Sequence, residues 1–173
     1  MHNESLDNTC HLRAVEPSDL ELMYLWENDR EVWRVSGNTA PLSRERLAQF
    51  IEEQSYDIYA TRQMRLIIEA EGTAVGTLDI FDFDPQHLRF GIGILIYAQE
   101  DRRRGYAHAA IEQLKIYAKE SLGLKQIWAG VAEDNRASIS LFESCGFELC
   151  GTRRAWLRTA DGYIGQREYQ FIF

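Results

Sequence analysis

The segment that most constrains the fold is the apolar run at residues 88–97, followed by an amphipathic pattern over residues 105–122. The run contains Phe-Gly-Ile-Gly-Ile-Leu-Ile-Tyr and is too apolar for a half-exposed strand, so it predicts a central strand. The amphipathic pattern repeats apolar residues at spacings of three and four, which predicts a helix. Residues 126–131 predict the next strand. A strand–helix–strand order implies parallel pairing of the two strands.

The other elements follow the same two periodicities. Alternating patterns predict strands at residues 11–15, 64–69, 74–81, 148–157 and 164–172, with a turn at residues 82–85. Helices are predicted at residues 18–28 with a Ser18–Glu21 capping box, after Ser43, and after Asn135. The sequence therefore predicts an α/β (α+β) fold: a mixed, mostly antiparallel sheet of about seven strands, flanked by about four helices.

Length and charge limit the classes of protein that remain. A chain of 173 residues fits a single domain over residues 1–173, with residues 1–10 as a flexible tail. The net charge of −8 argues against a nucleic-acid binder. No apolar run approaches the length of a membrane span. Three cysteines without CxxC spacing and four scattered histidines predict no metal site and a cytoplasmic location.

The junction between the central strand and the long helix predicts an anion site. The backbone N–H groups at a helix start have no internal partner and carry the positive end of the helix dipole. A glycine there lets the backbone approach an anion closely. The junction residues are Arg102, Arg103, Arg104, Gly105, Tyr106 and Ala107. A pyrophosphate suits this turn, although a solvated arginine run before a tight turn is the alternative, and no GxGxxG or P-loop motif is present.

Two motifs together resemble a known family. Arg102, Gly105 and Ala107 form an Arg-x-x-Gly-x-Ala turn, and an Asn135-led helix ends in Gly146 and Phe147. This pair of motifs resembles the GNAT family of N-acetyltransferases, in which the first motif binds the pyrophosphate of acetyl-CoA. The N-terminal third is similar to the subgroup that contains ribosomal-protein N-terminal and spermidine acetyltransferases.

The resemblance implies the following roles at the acetyl-CoA site. The central strand would splay from its parallel neighbour at a bulge, and its backbone near Ile94, Leu95 and Ile96 would pair with the pantetheine arm. The backbone from Arg102 to Ala107 would hold the pyrophosphate. Asn135, Ser138 and Phe142 would lie along the coenzyme. The alternatives are that Asn135 only caps its helix and that Ser138 is a small packing residue.

The catalytic pattern departs from the family. The position that often carries a carboxylate base is Gly91, and the position that often carries a tyrosine acid is Phe142. Asp79 or Asp82 are candidates for a proton relay, and Ser138 for a weak acid, with solvent as another route. The alternative for both aspartates is an ordinary turn or surface role. The general acid and base stay open at this point.

The resemblance implies that the acceptor sits over the loop joining the first two predicted helices and over the C-terminal hairpin. Trp26, Glu27, Glu31 and Trp33 would give the loop an acidic and aromatic lining that suits an ammonium group. The alternative is a core Trp26 with solvated acids. The resemblance implies an acetyl-CoA-dependent N-acetyltransferase acting on a polyamine, another small amine or a protein N-terminus, in a possible homodimer. A catalytically weak acyl-CoA-binding or polyamine-sensing module is the second hypothesis.

Overall fold

The computed structural model describes residues 10–36 and 40–173. Its strands are β1 His11–Ala14, β2 Met64–Ala70, β3 Thr73–Asp84, β4 Arg89–Ile96, β5 Gln126–Ala132, β6 Glu148–Thr159 and β7 Gly162–Ile172. They form one seven-stranded sheet in the order β1-β2-β3-β4-β5-β7-β6. Every neighbouring pair is antiparallel except β4 and β5, which are parallel. The predicted fold class is therefore confirmed, with the apolar strand β4 at the centre.

The prediction of about four helices is wrong, because the described residues form six α-helices. These are α1 Leu20–Glu27, α2 Arg30–Ser36, α3 Arg44–Glu53, α4 Ile58–Thr61, α5 Tyr106–Glu120 and α6 Arg136–Ser144. Two 3₁₀ turns, Pro17–Asp19 and Gln99–Asp101, precede α1 and α5. The two unpredicted helices, α2 and α4, are too short to show a clear apolar period.

Side-chain hydrogen bonds explain both unpredicted helices. Asn28 follows α1, and its carboxamide accepts from the Leu42 N–H at 2.8 Å and donates to the Tyr24 carbonyl at 2.9 Å. The Asp29 carboxylate then accepts from the Glu31 N–H at 2.9 Å in the first turn of α2. The Asp57 carboxylate accepts from the Tyr59 N–H at 2.7 Å and so caps α4. In both cases a single aspartate holds the first turn of a helix that is too short to show an apolar period.

The capping box that precedes α1 is formed by other residues than the predicted Ser18 and Glu21. Glu16 and Asp19 form the capping box of the preceding 3₁₀ turn, and the Glu16 N–H donates to Asp19 at 2.8 Å. Pro17 at the start of that turn has no N–H to satisfy. The predicted capping box was therefore wrong in register by two residues, because Glu16 and Asp19 take the positions assigned to Ser18 and Glu21.

Helices pack on both faces of the sheet. Neighbouring residues of β2 show this division, since Ile67 and Ile68 are both fully buried and must point to opposite faces. Ile68 belongs to the larger core with α5 and α6, and Ile67 belongs to a smaller core with Met23 of α1 and Leu47 of α3. The smaller core positions α1 over β2 and β3, close to the end of β4.

The first described residue already belongs to the core. Cys10 is 3% exposed, and its thiol donates to the Tyr106 carbonyl at 3.4 Å. Cys10 therefore does not belong to the predicted flexible tail, and residues 1–9 lie outside the described part of the chain. Among the described residues, no helix has both the length and the apolar character needed to cross a bilayer.

A buried carboxylate joins β1 to the entry of α1. Asp19 accepts two hydrogen bonds from the Arg13 guanidinium, at 2.8 and 2.9 Å, and Arg13 also donates to Glu69 of β2 at 2.6 Å. The Arg13 hydrogen bond lowers the pKa of Asp19 below its ordinary value. The ionised carboxylate therefore stabilises the folded state above that ordinary pKa of about 3.9, and the contribution disappears as pH falls through the lowered pKa.

We predict that Asp19→Asn lowers the free energy of unfolding by about 1–3 kcal/mol at neutral pH, because Arg13 loses a buried charged partner. Urea unfolding from pH 7 down to about pH 2 should show the difference from wild type narrowing as Asp19 protonates. Glu21→Gln is the control, since the Glu21–Arg44 pair is exposed and should contribute little. A pH-independent loss, or an equal loss in both variants, would contradict this assignment.

Candidate active site

β4 and β5 pair over only part of their length. They pair at three positions, the last being Gly91 opposite Trp128. Beyond Gly91, β4 stays paired with β3 as far as Ile96, while β5 stays paired with β7. A gap therefore opens inside the sheet. Ile94, Leu95 and Ile96 lie along its β4 edge, where the sequence placed them.

The shift in register between β3 and β4 comes from an extra residue in β3 and not in β4, so the predicted position of the bulge was wrong. The register of β3 against β4 shifts between Phe81 and Asp84. Asp82 occupies the bulge with a φ of 51° and is exposed. Asp82 was predicted in a turn after the strand, whereas β3 runs on to Asp84. The bulge lies next to the paired half of β4, so the structure does not bring Asp82 to the gap.

The first turn of α5 lies just beyond the end of β4. Gly105 has a φ of +85°, a conformation that strongly favours glycine, and it precedes the first helical residue, Tyr106. The first bond of the helix runs from the Ala109 N–H to the Gly105 carbonyl at 3.0 Å. The N–H groups before Ala109 therefore lie in the open first turn, with Ala107 adding little bulk. This geometry suits an anion, as the sequence predicted.

The three arginines before Gly105 have different surroundings. Arg102 donates to the Ile96 and Tyr97 carbonyls at 3.1 and 3.0 Å, so its side chain holds the end of β4. Arg104 lies 3.5 Å from Asp101 and 3.6 Å from Glu71. Arg103 is exposed, and its side chain makes no ion pair with any described residue. Arg103 is therefore the arginine most available to an anionic ligand.

The Asn135-led helix borders the gap from the β5 side. The Asn135 carboxamide accepts from the Ser138 N–H at 3.1 Å, so Asn135 caps α6. The Ser138 side chain is partly exposed on the first turn of α6. Phe142 is 4% exposed and packs against Phe147 and Tyr169 in the core. The structure thus keeps Asn135 and Ser138 near the gap and places the Phe142 ring in the core.

Gly91 has no room for the carboxylate that its family position often carries. A Cβ atom on Gly91 would overlap the Phe81 ring and lie 2.6 Å from the Trp128 ring. These two rings pack edge to face, with centroids 5.2 Å apart. The glycine therefore allows an aromatic pair to sit at the last paired position of β4 and β5.

Gly93, two residues further along the same face, is open in comparison. A Cβ atom there would meet only Phe81, at an ordinary 3.8 Å. The residue directly opposite Gly93 on β3 is Asp79, whose side chain is 36% exposed. Facing residues of antiparallel strands have Cβ positions about 5 Å apart. The space above Gly93 therefore has a carboxylate on one side and the gap on the other.

Arg65 of β2 joins two of the predicted acidic residues. It donates to both carboxylate oxygens of Asp79, at 2.6 and 2.8 Å, and also to Glu27 of α1. Burial alone would lower the pKa of Arg65, but Asp79 and Glu27 raise it, so the guanidinium remains charged. Arg65 therefore links Glu27 of α1 to Asp79 of β3.

Aromatic side chains connect this cluster to the end of β4. Trp26 stacks on Tyr97 with ring centroids 4.0 Å apart and an interplanar angle of 5°. Burial raises the pKa of Tyr97 to about 12, so its hydroxyl stays protonated at neutral pH. The Trp33 indole donates to the Glu27 carbonyl at 2.7 Å. Of the predicted acceptor residues, Trp26, Glu27 and Trp33 come together, whereas Glu31 is exposed on α2.

Sequence reasoning missed Arg65 and the Phe81–Trp128 pair. Arg65 carried a detectable signal, because it is a charged residue next to the apolar run Leu66–Ile68 and needs a charged partner when buried. Nothing comparable marked Phe81 and Trp128, which are aromatic residues of predicted strands. Their contact depends on the register of three strands.

We predict that Gly91→Ala lowers the free energy of unfolding by about 1–3 kcal/mol, because the new methyl group overlaps two packed rings. Gly93→Ala is the matched control on the same strand and face, where the methyl group has room. Urea unfolding of the two variants provides the measurement. Equal stabilities would show that the rings do not occupy the space above Gly91.

Comparison with known proteins identifies the family. The acetyltransferase (GNAT) domain model matches residues 10–148. The chain is 26% identical over 143 residues to a spermidine N(1)-acetyltransferase of Vibrio cholerae, covering 82% of this chain and 80% of that protein. It is 30% identical over 148 residues to the uncharacterized N-acetyltransferase YoaA of Bacillus subtilis, covering 84% and 83% of the two chains.

The fold agrees with these sequence matches. A crystal structure of spermidine N-acetyltransferase from Vibrio cholerae, in complex with CoA and spermine, superposes with a TM-score of 0.85 at 22% identity, covering 96% of both chains. A dodecameric structure of that enzyme gives a TM-score of 0.78 at 21% identity, covering 96% of this chain and 95% of that one. The chain therefore belongs to the GNAT acetyltransferase domain family, and its reaction is acetyl-CoA-dependent N-acetyl transfer to an amine.

Proposed function

We propose that the amine acceptor is a polyamine such as spermidine, and that acceptor and acetyl-CoA meet above Gly93. The observation that carries this proposal is the open space there, which Asp79 borders on one side and the β4–β5 gap on the other. The similarity to a spermidine N(1)-acetyltransferase supports a polyamine over other amines. An overall charge of −8 also favours a cationic acceptor.

The coenzyme site in this proposal consists mainly of backbone. The pantetheine arm lies in the gap along Ile94, Leu95 and Ile96, where the backbone edge of β4 is not paired with β5. The pyrophosphate sits on the first turn of α5, where Gly105 keeps the approach to the N–H groups free of side chain. Arg103 supplies the nearest available positive charge.

Asp79 is the proposed contact for the acceptor ammonium group. Arg65 uses one hydrogen bond to each Asp79 oxygen, and each oxygen retains further accepting capacity. An ionised carboxylate with free accepting capacity attracts an ammonium group. Asp79 also lies where it can accept, directly or through water, the proton that the amine must lose before it attacks the thioester.

The leaving thiolate takes its proton from solvent in this proposal. Phe142 has no proton to give and packs in the core. The Tyr97 hydroxyl is engaged with Thr77 and, at a pKa of about 12, releases its proton poorly. Ser138 is the remaining side chain on the α6 side, and its partly exposed position leaves it available to orient water.

Two earlier expectations stay predictions. A homodimer is supported by the exposed apolar residues of the β6–β7 hairpin, such as Trp156 and Tyr163 at 54% and 65% exposure, and by the dodecameric relative. A cytoplasmic location is supported by three free cysteines, of which Cys10 and Cys145 are buried.

We predict thiol release from acetyl-CoA with spermidine or spermine, and at least tenfold slower release with peptides that carry Ser or Ala at the N-terminus. Asp79→Asn should lower kcat/KM for the polyamine at least tenfold, because the acceptor loses its charged contact. Asp82→Asn is the matched control on the same strand, since Asp82 is exposed at the bulge away from Gly93.

Two outcomes would contradict parts of this account. Equal activity of Asp79→Asn and Asp82→Asn would remove Asp79 from the acceptor site. Absence of turnover with every amine, while acetyl-CoA still raises the melting temperature, would instead favour an acyl-CoA-binding or polyamine-sensing module.

A further inference from the structure

Three metal-ligating side chains converge on the face of the sheet that α5 and α6 cover, outside the β4–β5 gap. His108 and Glu112 lie one turn apart on α5, and Cys145 lies at the C-terminal end of α6. One ligand atom from each residue falls within 4.8 Å of the other two. Residues at positions i and i+4 share one side of a helix, so α5 presents His108 and Glu112 together toward Cys145.

We propose that His108, Glu112 and Cys145 bind a zinc-class divalent ion. Imidazole nitrogen, carboxylate oxygen and thiolate sulfur are the three donors that Zn²⁺ takes in proteins. Zinc–ligand bonds of about 2.0–2.3 Å place the ligand atoms of a tetrahedral site about 3.3–3.8 Å apart.

Lys115 already orders two parts of this cluster. Its ammonium donates to Glu112 Oε1 at 2.7 Å and to the Cys145 carbonyl at 2.8 Å. The bond to Glu112 fixes one carboxylate oxygen and leaves the other for an ion. The bond to the Cys145 carbonyl holds the end of α6 against α5. Outer contacts of this kind orient ligands before the metal arrives.

The differing exposure of the three residues gives the site an entrance. Cys145 is 2% exposed, Glu112 is partly buried, and His108 is exposed. An ion therefore enters past His108, and a water molecule can complete the coordination from the solvent side. Since His108 belongs to the first turn of α5, the ion would join that turn to α6.

The sequence-based expectation of no metal site rested on scattered histidines and on cysteines without CxxC spacing. The three residues come from two helices that are separated in the chain by β5. Only the packing of α6 on α5 brings them together. No other group of three or more such ligands occurs among the described residues.

Tag-free protein should be titrated with Zn²⁺ by calorimetry and with Co²⁺ as an optical probe. The variants are His108→Ala and Cys145→Ser. The matched controls are His87→Ala, an exposed histidine beside Asp84, and Cys150→Ser, an exposed cysteine. Circular dichroism checks that each variant is folded. His108 is exposed, so its variant provides a test even where Cys145→Ser fails to fold.

The proposal expects a thiolate-to-cobalt charge-transfer band in wild type and both controls, and its loss in Cys145→Ser. It also expects Zn²⁺ affinity to fall at least tenfold in His108→Ala while His87→Ala remains unchanged. Equal Zn²⁺ affinity in wild type and His108→Ala would overturn the proposal. The proposal would also be overturned if the cobalt band were lost in Cys150→Ser and kept in Cys145→Ser.

Discussion

The candidate site depends on the point at which β4 and β5 stop pairing. Buried backbone N–H and C=O groups need partners, so an edge exposed inside a sheet is costly unless water or a ligand satisfies it. Gly91 marks this point, because Phe81 and Trp128 pack over it at the last paired position. Beyond it, the unpaired half of β4 resembles a sheet edge that awaits another strand, and an extended pantetheine arm can fill that place.

The same geometry explains why two typical catalytic side chains are absent. The Gly91 position is closed by aromatic rings, and Phe142 is a core residue, so neither position offers acid–base chemistry. The available polar groups lie instead on β2, β3 and α1. Arg65 binds Asp79 and Glu27 together and fixes α1 against the sheet. Such a partly buried network offsets its own desolvation only when its members are well paired.

The sequence predicted those parts of the fold that depend on local pattern. Strand alternation, the long α5 period and the Gly105 turn are local signals, and the crossover from β4 to β5 requires parallel pairing. The number of helices was wrong, because α2 and α4 are short helices whose first turns are held by single aspartates, Asp29 and Asp57. The capping box of Ser18 and Glu21 was displaced by a competing pair of the same chemistry.

At the site, the sequence predicted the Gly105 turn, where we propose that the pyrophosphate of acetyl-CoA binds, but not the arrangement of charges. Asp79 and Glu27 were candidates for separate roles; the register of β2 against β3 places Arg65 opposite Asp79, and the packing of α1 on the sheet brings Glu27 to the same guanidinium. Asp82 was assigned to a turn because Asp82 to Pro85 has turn composition, yet β3 continues through it with a bulge. The Arg65 ion pairs and the β3 bulge both depend on pairing between strands, which local sequence patterns do not predict.

The most direct test of the central claim is acetyl-CoA binding by a matched pair of glycine variants. Gly105 and Gly123 both have positive φ, +85° and +62°, and a Cβ atom on either meets no atom within 4 Å. Asp tolerates this conformation comparatively well, so Gly105→Asp and Gly123→Asp carry a similar conformational cost. Only the first places a negative charge at the proposed pyrophosphate site. Calorimetry should show at least tenfold weaker acetyl-CoA binding for Gly105→Asp and wild-type binding for Gly123→Asp, whereas equal affinities would contradict the assignment of acetyl-CoA to the β4–α5 turn.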